Sequence, residues 1–599
     1  MRNLKNSSAF KVTLLIFINL FFLNPYILGI SFIYLLLNFK KKTVIVVLLF
    51  LICLISDINK KDLISYGIVE DTSSSYIIVQ KYLYKVKVFT KEKYETGSIV
   101  YIQGYKTEDT DLLKYNIRFI CYDSPKLISI NTPLHYINKK INSVDSEYSN
   151  YLKKIILNTY DYENELDFVG YGFSFYMLLM FIKRKNKLIC LITLIIYILL
   201  FRFDIKFYLI IIGYLSDKLK LNRIQSILLK ILILLFINRY LILNNSILIS
   251  LLFSFVYLKD KKDKSMIMLI QSIFFNQISL GLTLFYNIYF FIRILLFLVS
   301  IVVLICPVLL GSVYLKLINI SSIILKILNF GLRGRITVFG IIVFWLIKTI
   351  FKIKSNCLKC ILLFLLVLVP INNPLKHINF IDIGQGNATL IHGSFGKYNI
   401  LIDTGSKYNY SKLKNTLYGE GIYKIDYLIV SHEDEDHSGN VENLKKDFKI
   451  EEIIYDGKDI DLDEAYLKYL YLGKYDNDND NSLVYLLNID NRQALLPGDA
   501  SKKVENIIVN KYDVRNIDIL DIGHHGSNTS SSSYFIGNLN PEYTVISTNG
   551  KYGHPHEETI NTLNSYKLDY LITKNEGNIK FYFTDFIDLC ITSKRVEIF

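Results

Sequence analysis

The sequence predicts a multi-domain membrane protein that combines a polytopic α-helical bundle, a small β-barrel and a C-terminal α/β domain rich in histidine. Hydrophobic residues make up 51% of the 599 residues and the mean hydropathy is +0.31, which is typical of a membrane protein with soluble parts. Six of the nine histidines lie in three short clusters after residue 430. We therefore divide the chain into N-terminal transmembrane helices (1–56), a barrel region with its linker (57–165), a polytopic bundle (166–371) and the C-terminal domain (372–599).

Thirteen apolar runs are candidates for membrane spans, although several are shorter than the roughly 20 residues that a spanning helix needs. We therefore expect nine to thirteen spans. The runs lie near residues 10–23, 25–38, 43–56, 168–182, 187–201, 205–216, 225–241, 244–258, 265–285, 287–306, 308–329, 336–352 and 357–371.

Lysine and arginine in short loops predict the orientation in the cytoplasmic membrane. Basic residues precede the first span, separate the second from the third (Lys40 to Lys42) and follow the first span of the bundle (183–187). Because such loops face the cytoplasm, the barrel region is predicted to be extracytoplasmic. The last span is entered from a further lysine cluster, which predicts that the C-terminal domain is extracytoplasmic as well.

Residues 62–130 alternate between apolar and polar side chains in short stretches, at 65–70, 76–80, 85–89 and 99–104. This pattern favours a small β-barrel. Its lysines and tyrosines could bind a single-stranded nucleic acid by charge and stacking. Alternating lysine is, however, also what any exposed strand face shows, so the two interpretations stay open.

Three polar residues, Asn276, Gln277 and Ser279, interrupt an apolar run of the bundle. Polar side chains at membrane depth are costly and usually line a cavity, which makes Gln277 a candidate for contact with a transported substrate. Hydrogen bonding between packed helices is the alternative explanation.

The most informative string is Ser431-His432-Glu433-Asp434-Glu435-Asp436-His437, which follows the apolar stretch 427–430. A strand that ends in a turn directs the turn side chains towards one point. Two imidazoles and two alternate carboxylates can therefore supply N and O ligands to two adjacent divalent cations.

Further apolar runs in the same region also end in polar residues. Asp382 and Asp403 each stand at the end of one such run, Asp499 follows a glycine, and two histidine pairs complete the set (524–525, and 554 with 556). Together they predict a common metal site.

Seven strings occur in order after residue 380: D-I-G-Q-G, I-D-T-G, S-H-x-D-x-D-H, N-D-N-S-L-V, G-D-A, H-H-G-S and Y-G-H-P-H. They resemble the metallo-β-lactamase fold and, within it, the C-terminal domain of the ComEC family of bacterial DNA-uptake channels. The resemblance implies an αββα architecture for residues 372–599 and an OB-fold-like barrel within residues 57–165. Expected partners are single-stranded DNA, membrane lipid, a DNA receptor and a cytoplasmic translocase of the competence machinery, and a second copy of the chain.

We expect two divalent ions, zinc or manganese, which activate a shared water and hold phosphoryl oxygens for hydrolysis of a phosphodiester. The expected metal ligands are His432 and Asp434 for one ion, Asp436 and His437 for the other, Asp499 as a bridge and His525 to complete a site. Asp436, His524, His554 and His556 are expected in catalysis, Asn481, Ser482 and Ser527 in substrate binding, and Asp382 and Asp403 in orienting the ligands. Which histidine of each pair binds metal stays open.

The negative net charge of the C-terminal domain weakens the interpretation of this domain as a nuclease. The whole chain carries +14, yet residues 375–599 hold 34 Asp and Glu against 23 Lys and Arg, so the basic excess belongs to the remaining part. An acidic domain is a poor general binder of nucleic acid. Three functions therefore remain: a DNA-uptake channel with strand degradation, an anchored extracytoplasmic phosphodiesterase without transport, and a channel whose metal domain only binds.

Overall fold

A computed structural model of the chain describes residues 62–598 with gaps. The longer gaps are 158–173, 201–206, 219–225, 235–240 and 253–263, and the remaining gaps are one to five residues long. The predicted N-terminal helices (1–56) lie outside the described residues. The described chain forms two compact units, one with residues 62–157, 174–270 and 281–328 and the other with residues 271–280 and 331–598.

The first unit begins with six strands, and the four predicted ones are confirmed. The strands are β1 (Asp62–Thr72), β2 (Tyr76–Lys81), β3 (Tyr84–Phe89), β4 (Ile99–Lys106), β5 (Ile117–Cys121) and β6 (Lys126–Ser129). β1 pairs with both β2 and β4, while β5 pairs with both β3 and β4, so five strands pair in a closed ring. Alternate residues such as Val86 and Val88 point into its core.

Helices occupy most of the described apolar runs. Their bounds are α1 (Pro133–Asn142), α2 (Ser174–Lys185), α3 (Lys187–Leu200), α4 (Phe207–Lys218), α5 (Ser265–Phe275), α6 (Leu280–Leu284), α7 (Tyr286–Ile305), α8 (Pro307–Leu328), α9 (Val338–Ile350) and α10 (Asn356–Ile371). The predicted spans at 225–241 and 244–258 lie largely outside the described residues. No helix among the described residues has both the length and the hydropathy that crossing a membrane requires.

The predicted span at 265–285 is not one helix. Helix α5 ends at Phe275, and Asn276 takes a left-handed conformation with φ 51°. A strand follows, β7 (Gln277–Ser279). β7 pairs with β8 (Gly331–Arg333), so Gln277 lies opposite Arg333. The polar residues that interrupt the apolar run therefore end a helix and begin a two-stranded sheet, and hydropathy alone does not reveal this break.

The second unit contains two large sheets. Their strands are β9 (Lys376–Phe380), β10 (Thr389–His392), β11 (Asn399–Ile402), β12 (Lys424–Ile429), β13 (Lys449–Ile454), β14 (Ile460–Leu462), β15 (Ala465–Tyr469), β16 (Tyr485–Ile489), β17 (Arg492–Leu496), β18 (Ile519–Asp521), β19 (Tyr543–Ile546), β20 (Asp569–Ile572), β21 (Ile579–Phe583), β22 (Leu589–Ile591) and β23 (Val596–Ile598). One sheet has the order β13-β12-β11-β10-β9-β21-β22-β23 and the other has the order β14 to β20 in sequence.

Seven helices accompany these sheets: α11 (Tyr410–Gly419), α12 (Glu435–Ser438), α13 (Val441–Asp447), α14 (Lys502–Lys511), α15 (Ser533–Leu539), α16 (Glu557–Ser565) and α17 (Thr573–Glu576). The alternation along β11 explains the layers. Ile400 and Ile402 pack in the core between the two sheets, whereas Leu401 packs on the outer face with α11 and α13. α14, α15 and α16 cover the outer face of the second sheet in the same way. The predicted αββα arrangement of residues 372–599 is therefore observed.

The two-stranded sheet contacts the end of α11 within the second unit. The Arg333 guanidinium donates to the carbonyl oxygens of Ile422 (3.4 Å) and Asp447 (3.1 Å) and lies 4.2 Å from the centroid of the Tyr418 ring. The Asn276 amide donates to the Asn415 carbonyl oxygen at 2.8 Å. These hydrogen bonds and the ring contact thus hold β7 and β8, which are far away in sequence, against the αββα layers.

Candidate metal centre

The candidate ligands lie where parallel strands of both sheets end. β11, β12 and β13 run parallel in one sheet, and β17 to β20 run parallel in the other. Asp403 follows β11, His432 follows β12, and Asp499 follows β17, whereas the pair 524–525 follows β18. Because carboxyl ends of parallel strands meet at one edge, these side chains converge there.

A first group of possible ligands consists of His432, His437 and Asp499, all buried. The Nε2 atom of His437 lies 3.1 Å from Oδ1 of Asp499. The rings of His432 and His437 are 4.1 Å apart between centroids. Asp434 lies beside this group, with its Oδ2 atom 3.5 Å from Nε2 of His432, and its side chain is 50% exposed.

A second group shares His437 with the first and adds Asp436 and His525. Nε2 of His525 lies 3.3 Å from Oδ2 of Asp436 and 3.8 Å from Oδ2 of Asp499. Two overlapping clusters therefore stand side by side. Six of the residues expected as ligands from the sequence come together here, and His437 belongs to both clusters.

Hydrogen bonds fix which ring nitrogen of each histidine faces the centre. Asp403 accepts the Nδ1–H of His437 at 2.7 Å and the hydroxyl of Ser431 at 2.8 Å. Since that hydroxyl donates to Asp403, its oxygen accepts from Nδ1 of His432, 3.0 Å away. Nδ1 of His525 donates to the Ser547 carbonyl oxygen at 2.9 Å. In the neutral tautomers that these bonds favour, each Nε2 carries a lone pair, which is the form that binds metal.

Left-handed backbone positions shape this edge. Asp403, His524 and His525 have φ angles of 60°, 49° and 55°, which non-glycine residues rarely adopt. Such conformations cost free energy and persist where the surrounding contacts impose them. Gly498 is also left-handed, and a side chain there would crowd Ser482 and Ser431 at 3.1–3.3 Å, so a glycine lets Asp499 approach.

Electrostatics favour a cation at the centre. Burial opposes charge on His437, but the neighbouring Asp499 and Asp403 carboxylates raise its pKa well above the usual value. Burial and the charge of His437 lower the pKa of His432. Against the effect of burial, His525 and His437 hold the pKa of Asp436 at about 2. Asp436 thus stays ionised at neutral pH, and a divalent cation could replace the second proton of His437, the one on Nε2.

Three further histidines stand beside the two clusters. The His524 and His554 rings are 5.8 Å apart, and those of His554 and His556 are 4.7 Å apart. Nε2 of His524 lies 3.6 Å from Asp499. Burial and the neighbouring histidines lower the pKa of His554 to about 4. Burial also lowers the pKa of His524, so the imidazoles of His524 and His554 next to the candidate ligands can bind an anion or exchange a proton.

The side chains of Asn481, Ser482 and Ser527, which were expected to bind substrate, make hydrogen bonds within the protein. Both ends of the Asn481 amide bond to the backbone of Tyr475 at 2.8 Å. Ser482 is buried, and its hydroxyl accepts the Asp499 N–H at 3.1 Å. Ser527 is buried too, and its hydroxyl accepts from Thr529. Gln277 lies in β7, as described above.

The two aspartates expected to orient ligands differ in location. Asp403 contacts His437 and Ser431 directly, whereas Asp382 accepts the Gly384 N–H at 3.2 Å and pairs with Lys412 at 3.3 Å. Within the described contacts, nothing joins Asp382 to a candidate ligand. Its carboxylate instead holds the glycine turn in place.

Sequence reasoning missed two residues of the centre, Ser431 and Asp521. The parallel register of Ile402 with Ile429 puts Asp403 close to Ser431. Knowledge of this register would have identified the Ser431 hydroxyl as a partner of Asp403. Asp521 is buried, and burial together with Asp403 and Asp499 raises its pKa well above the usual range. Only the place of Asp521 at the end of β18 marks it in the sequence.

These residues fit a divalent metal centre. Nε2 of His432 and Nε2 of His525 are buried and make no hydrogen bond among the described residues, although such atoms are nearly always paired. Mixed imidazole and carboxylate ligands suit zinc and manganese alike. The arrangement can therefore activate water and hold the oxygens of a phosphate or carbonyl substrate.

Comparison with known proteins agrees with this fold. Residues 381–476 match the family model of the metallo-β-lactamase superfamily. The chain is 27% identical over 270 residues to ComE operon protein 3 of Bacillus subtilis, which covers 37% of this chain and 35% of that protein. It is 30% identical over 261 residues to Recombination protein 2 of Haemophilus influenzae, with 38% and 32% covered.

A third relative is Competence protein ComA of Neisseria gonorrhoeae, 28% identical over 217 residues that cover 33% of this chain and 31% of that protein. The matches thus span about a third of the length of each curated relative. The predicted resemblance to ComEC-type competence proteins and the metallo-β-lactamase domain are both confirmed.

Proposed function

We propose that this chain takes up single-stranded DNA through the cytoplasmic membrane and that its metal centre degrades the other strand as a two-metal phosphodiesterase. The observation that carries the enzymatic part is the pair of overlapping His/Asp clusters around His437, whose Nε2 atoms have no hydrogen-bond partner among the described residues. The competence relatives support the transport part.

His432, His437, Asp499, Asp436 and His525 would hold the metal, with Asp434 as a more exposed ligand. Bound divalent ions, zinc or manganese, would lower the pKa of a shared water and neutralise charge on the phosphoryl oxygens. Asp403 and Ser431 orient the two histidines that flank Asp499, so the ligand set is arranged before the ions bind.

The histidine row next to the ligands would complete the reaction. His554 is mostly buried and stays neutral at physiological pH, so it can hydrogen-bond a phosphate oxygen without adding charge. His524, whose Nε2 lies 3.6 Å from Asp499, is our candidate for passing a proton to the leaving oxygen. His556 is held by the Asn528 N–H at 2.9 Å and extends the row outwards.

The rest of the chain would receive and conduct DNA. The closed ring of five strands supports an OB-like barrel, which would bind a single strand outside the cell. The helices at the apolar runs would form a polytopic bundle in the cytoplasmic membrane, with Gln277 in the conduit and with the barrel and metal centre outside. A DNA receptor, a cytoplasmic translocase and a second copy of the chain are proposed partners.

An anchored phosphodiesterase without transport is the second candidate, and the charge of the metal-binding part favours it. Residues 375–599 carry more acidic than basic residues, 34 against 23, so affinity for a long polyanion must come from elsewhere in the chain.

Gene deletion separates the two candidates. In an otherwise competent strain, deletion should end the uptake of labelled duplex DNA, and Asp436→Ala should remove phosphodiesterase activity and lower the metal content of the full chain purified in detergent. Normal uptake in the deletion strain would leave the anchored phosphodiesterase. Normal hydrolysis and unchanged metal content in Asp436→Ala would contradict the centre itself.

A further inference from the structure

Two turns of the metal-binding unit have the same conformation and begin with the same two residues. Each is a short 3-10 turn that begins with Lys-Tyr, at Lys407–Asn409 and at Lys551–Gly553. The tyrosines are strongly exposed, Tyr408 by 59% and Tyr552 by 70%. In each turn the preceding lysine ammonium lies over the ring, 5.2 Å and 4.5 Å from the centroid. Two large apolar rings thus stand in solvent, each beside a positive charge.

Both turns border the same glycine loop. A Cβ atom at Gly384 would lie 2.9 Å from the side-chain amide nitrogen of Asn409, the last residue of the first turn, and 3.7 Å from that of Asn549, two residues before the second turn. Gly386, two residues on, packs so closely on the Asp436 carbonyl that a side chain would collide with it. The loop therefore connects both turns to a candidate metal ligand.

Direct contacts also place each turn beside the centre. The Lys407 ammonium lies 3.5 Å from Glu435, which stands between Asp434 and Asp436 in the sequence. On the other side, the Tyr552 ring centroid is 6.2 Å from that of His554, which in turn is 6.4 Å from that of His525. The Tyr552 ring thus borders the histidine row, and the Tyr408 ring lies 5.2 Å from the ammonium that pairs with Glu435.

Charge makes these rings important for substrate binding. The metal-binding part carries more acidic than basic residues, so its net charge does not attract DNA, and contacts that do not depend on net charge gain in importance. Stacking of a base on an aromatic ring is such a contact, and it tolerates any sequence because every base has a π face. A nearby ammonium can also approach the adjoining phosphate.

We propose that Tyr408 and Tyr552 are base-stacking platforms at the rim of the metal centre and select single-stranded nucleic acid over small phosphodiesters. The inference rests on the proposed function, because it assigns the substrate class of that centre. Bases of an unpaired strand can rotate onto the rings while the backbone lies over the ligands, whereas bases stacked in a duplex are not free to do so.

Photocrosslinking tests the contact without depending on hydrolysis. The full chain in detergent is mixed with a single-stranded oligonucleotide that carries 5-iodouracil, with metal chelated so that no cleavage occurs. After irradiation, peptides that contain Tyr408 and Tyr552 should carry the nucleotide, and those with Tyr534, an exposed tyrosine on α15, should not. Absence of adducts at both tyrosines would overturn the inference whatever the enzyme does.

Kinetics give the second readout on the metal-loaded full chain. Tyr408→Ala and Tyr552→Ala should each raise KM for a single-stranded oligonucleotide about tenfold, since stacking one base contributes on this order. Their kcat/KM for bis(p-nitrophenyl) phosphate should stay at the wild-type value, and Tyr→Phe at either position should behave as wild type. The control Tyr534→Ala should leave both substrates unaffected.

The outcomes separate the inference from the proposed function. Adducts at both tyrosines in a protein that hydrolyses no phosphodiester would support the platforms and contradict the phosphodiesterase. Normal KM for the oligonucleotide in both alanine variants, with an active wild type, would contradict the platforms and leave the phosphodiesterase intact.

Discussion

At the residue scale, the ability of the centre to bind metal depends on which ring nitrogen of each histidine carries the hydrogen. Asp403 is the key neighbour, because its Oδ2 atom accepts the hydrogens of His437 Nδ1 and the Ser431 hydroxyl, and the Ser431 oxygen in turn accepts that of His432. One carboxylate thereby sets the tautomer of two candidate ligands. The sequence predicted both this role and the ligand types, since residue identity and strand ends suffice for that. It predicted the same role for Asp382, whose side chain turns to Lys412, because spacing along a strand end does not fix the direction of a side chain.

The different surroundings of these two aspartates give a matched pair of variants. Asp403→Asn should lower the affinity for zinc or manganese about 10-fold to 100-fold, the usual effect of losing a carboxylate behind a ligating histidine. Titration of the full chain against a competing chelator measures this directly. Asp382→Asn is the control and should bind metal as the wild type does. Equal affinity in both variants would show that Asp403 does not orient the ligands.

At the element scale, the hydrophobic pattern of the sequence predicted those strands and helices that depend on local periodicity. The strands of the first unit and most of the helices fall on the predicted runs, because alternation and apolar length are local properties. The sheet of β7 and β8 was not predicted, since its two strands are more than 50 residues apart and only their pairing makes them strands. The contact of this sheet with α11 is equally non-local.

Arg333 is expected to hold that sheet against the end of α11. Arg333→Ala removes two hydrogen bonds to backbone carbonyls and the stacking on Tyr418, so the local free energy of opening should fall by about 2 kcal/mol. Hydrogen exchange of the full chain should then speed up in residues 331–336 and 415–423. Arg335→Ala is the control, because Arg335 is exposed and contacts Gly419 through its backbone N–H. Faster exchange in the control alone would contradict this role.

Lys580 on β21 forms an ion pair with Glu420 at the end of α11, and both are mostly buried. Burial would raise the pKa of Glu420, but the charge of Lys580 holds it at about 2, below the usual 4.5. Lys580→Met should therefore lower the free energy of unfolding by about 3 kcal/mol at pH 7. A depressed carboxyl pKa stabilises the fold above pH 4.5, and this contribution is lost as the pH falls towards 2.

Urea unfolding at pH 7 and pH 3 measures this effect. The difference between wild type and Lys580→Met should shrink at the lower pH. Lys449→Met, which removes an exposed pair with Glu451, should leave the free energy of unfolding nearly unchanged at both pH values, because solvent screens such a pair. A difference for Lys580→Met that does not depend on pH would contradict the pairing.

At the scale of the whole molecule, the described chain divides into two compact units. Basic residues exceed acidic ones in the sequence as a whole, whereas acidic residues are in excess after residue 375. The arrangement relative to the membrane comes from the lysine-rich loops and is a prediction of the sequence alone.

Labelling in intact cells tests that arrangement. In a cysteine-free background, Ser124→Cys in the first unit and Ser565→Cys in the second, both exposed, should react with an impermeant maleimide. Asn186→Cys, next to the lysine cluster predicted to be cytoplasmic, should react only after permeabilisation. Reaction at Ser124→Cys but not at Ser565→Cys would show that the number of spans between them is odd, not even.

The central claim is that the clusters around His437 form a two-metal phosphodiesterase centre that acts on DNA. The most direct measurement follows cleavage of an end-labelled single strand by the full chain in detergent, with metal content determined on the same sample. We expect two zinc or manganese ions per chain, cleavage that stops on chelation and returns when metal is added, and no cleavage by His437→Ala. A protein that holds two ions yet cleaves neither DNA, RNA nor bis(p-nitrophenyl) phosphate would contradict the account.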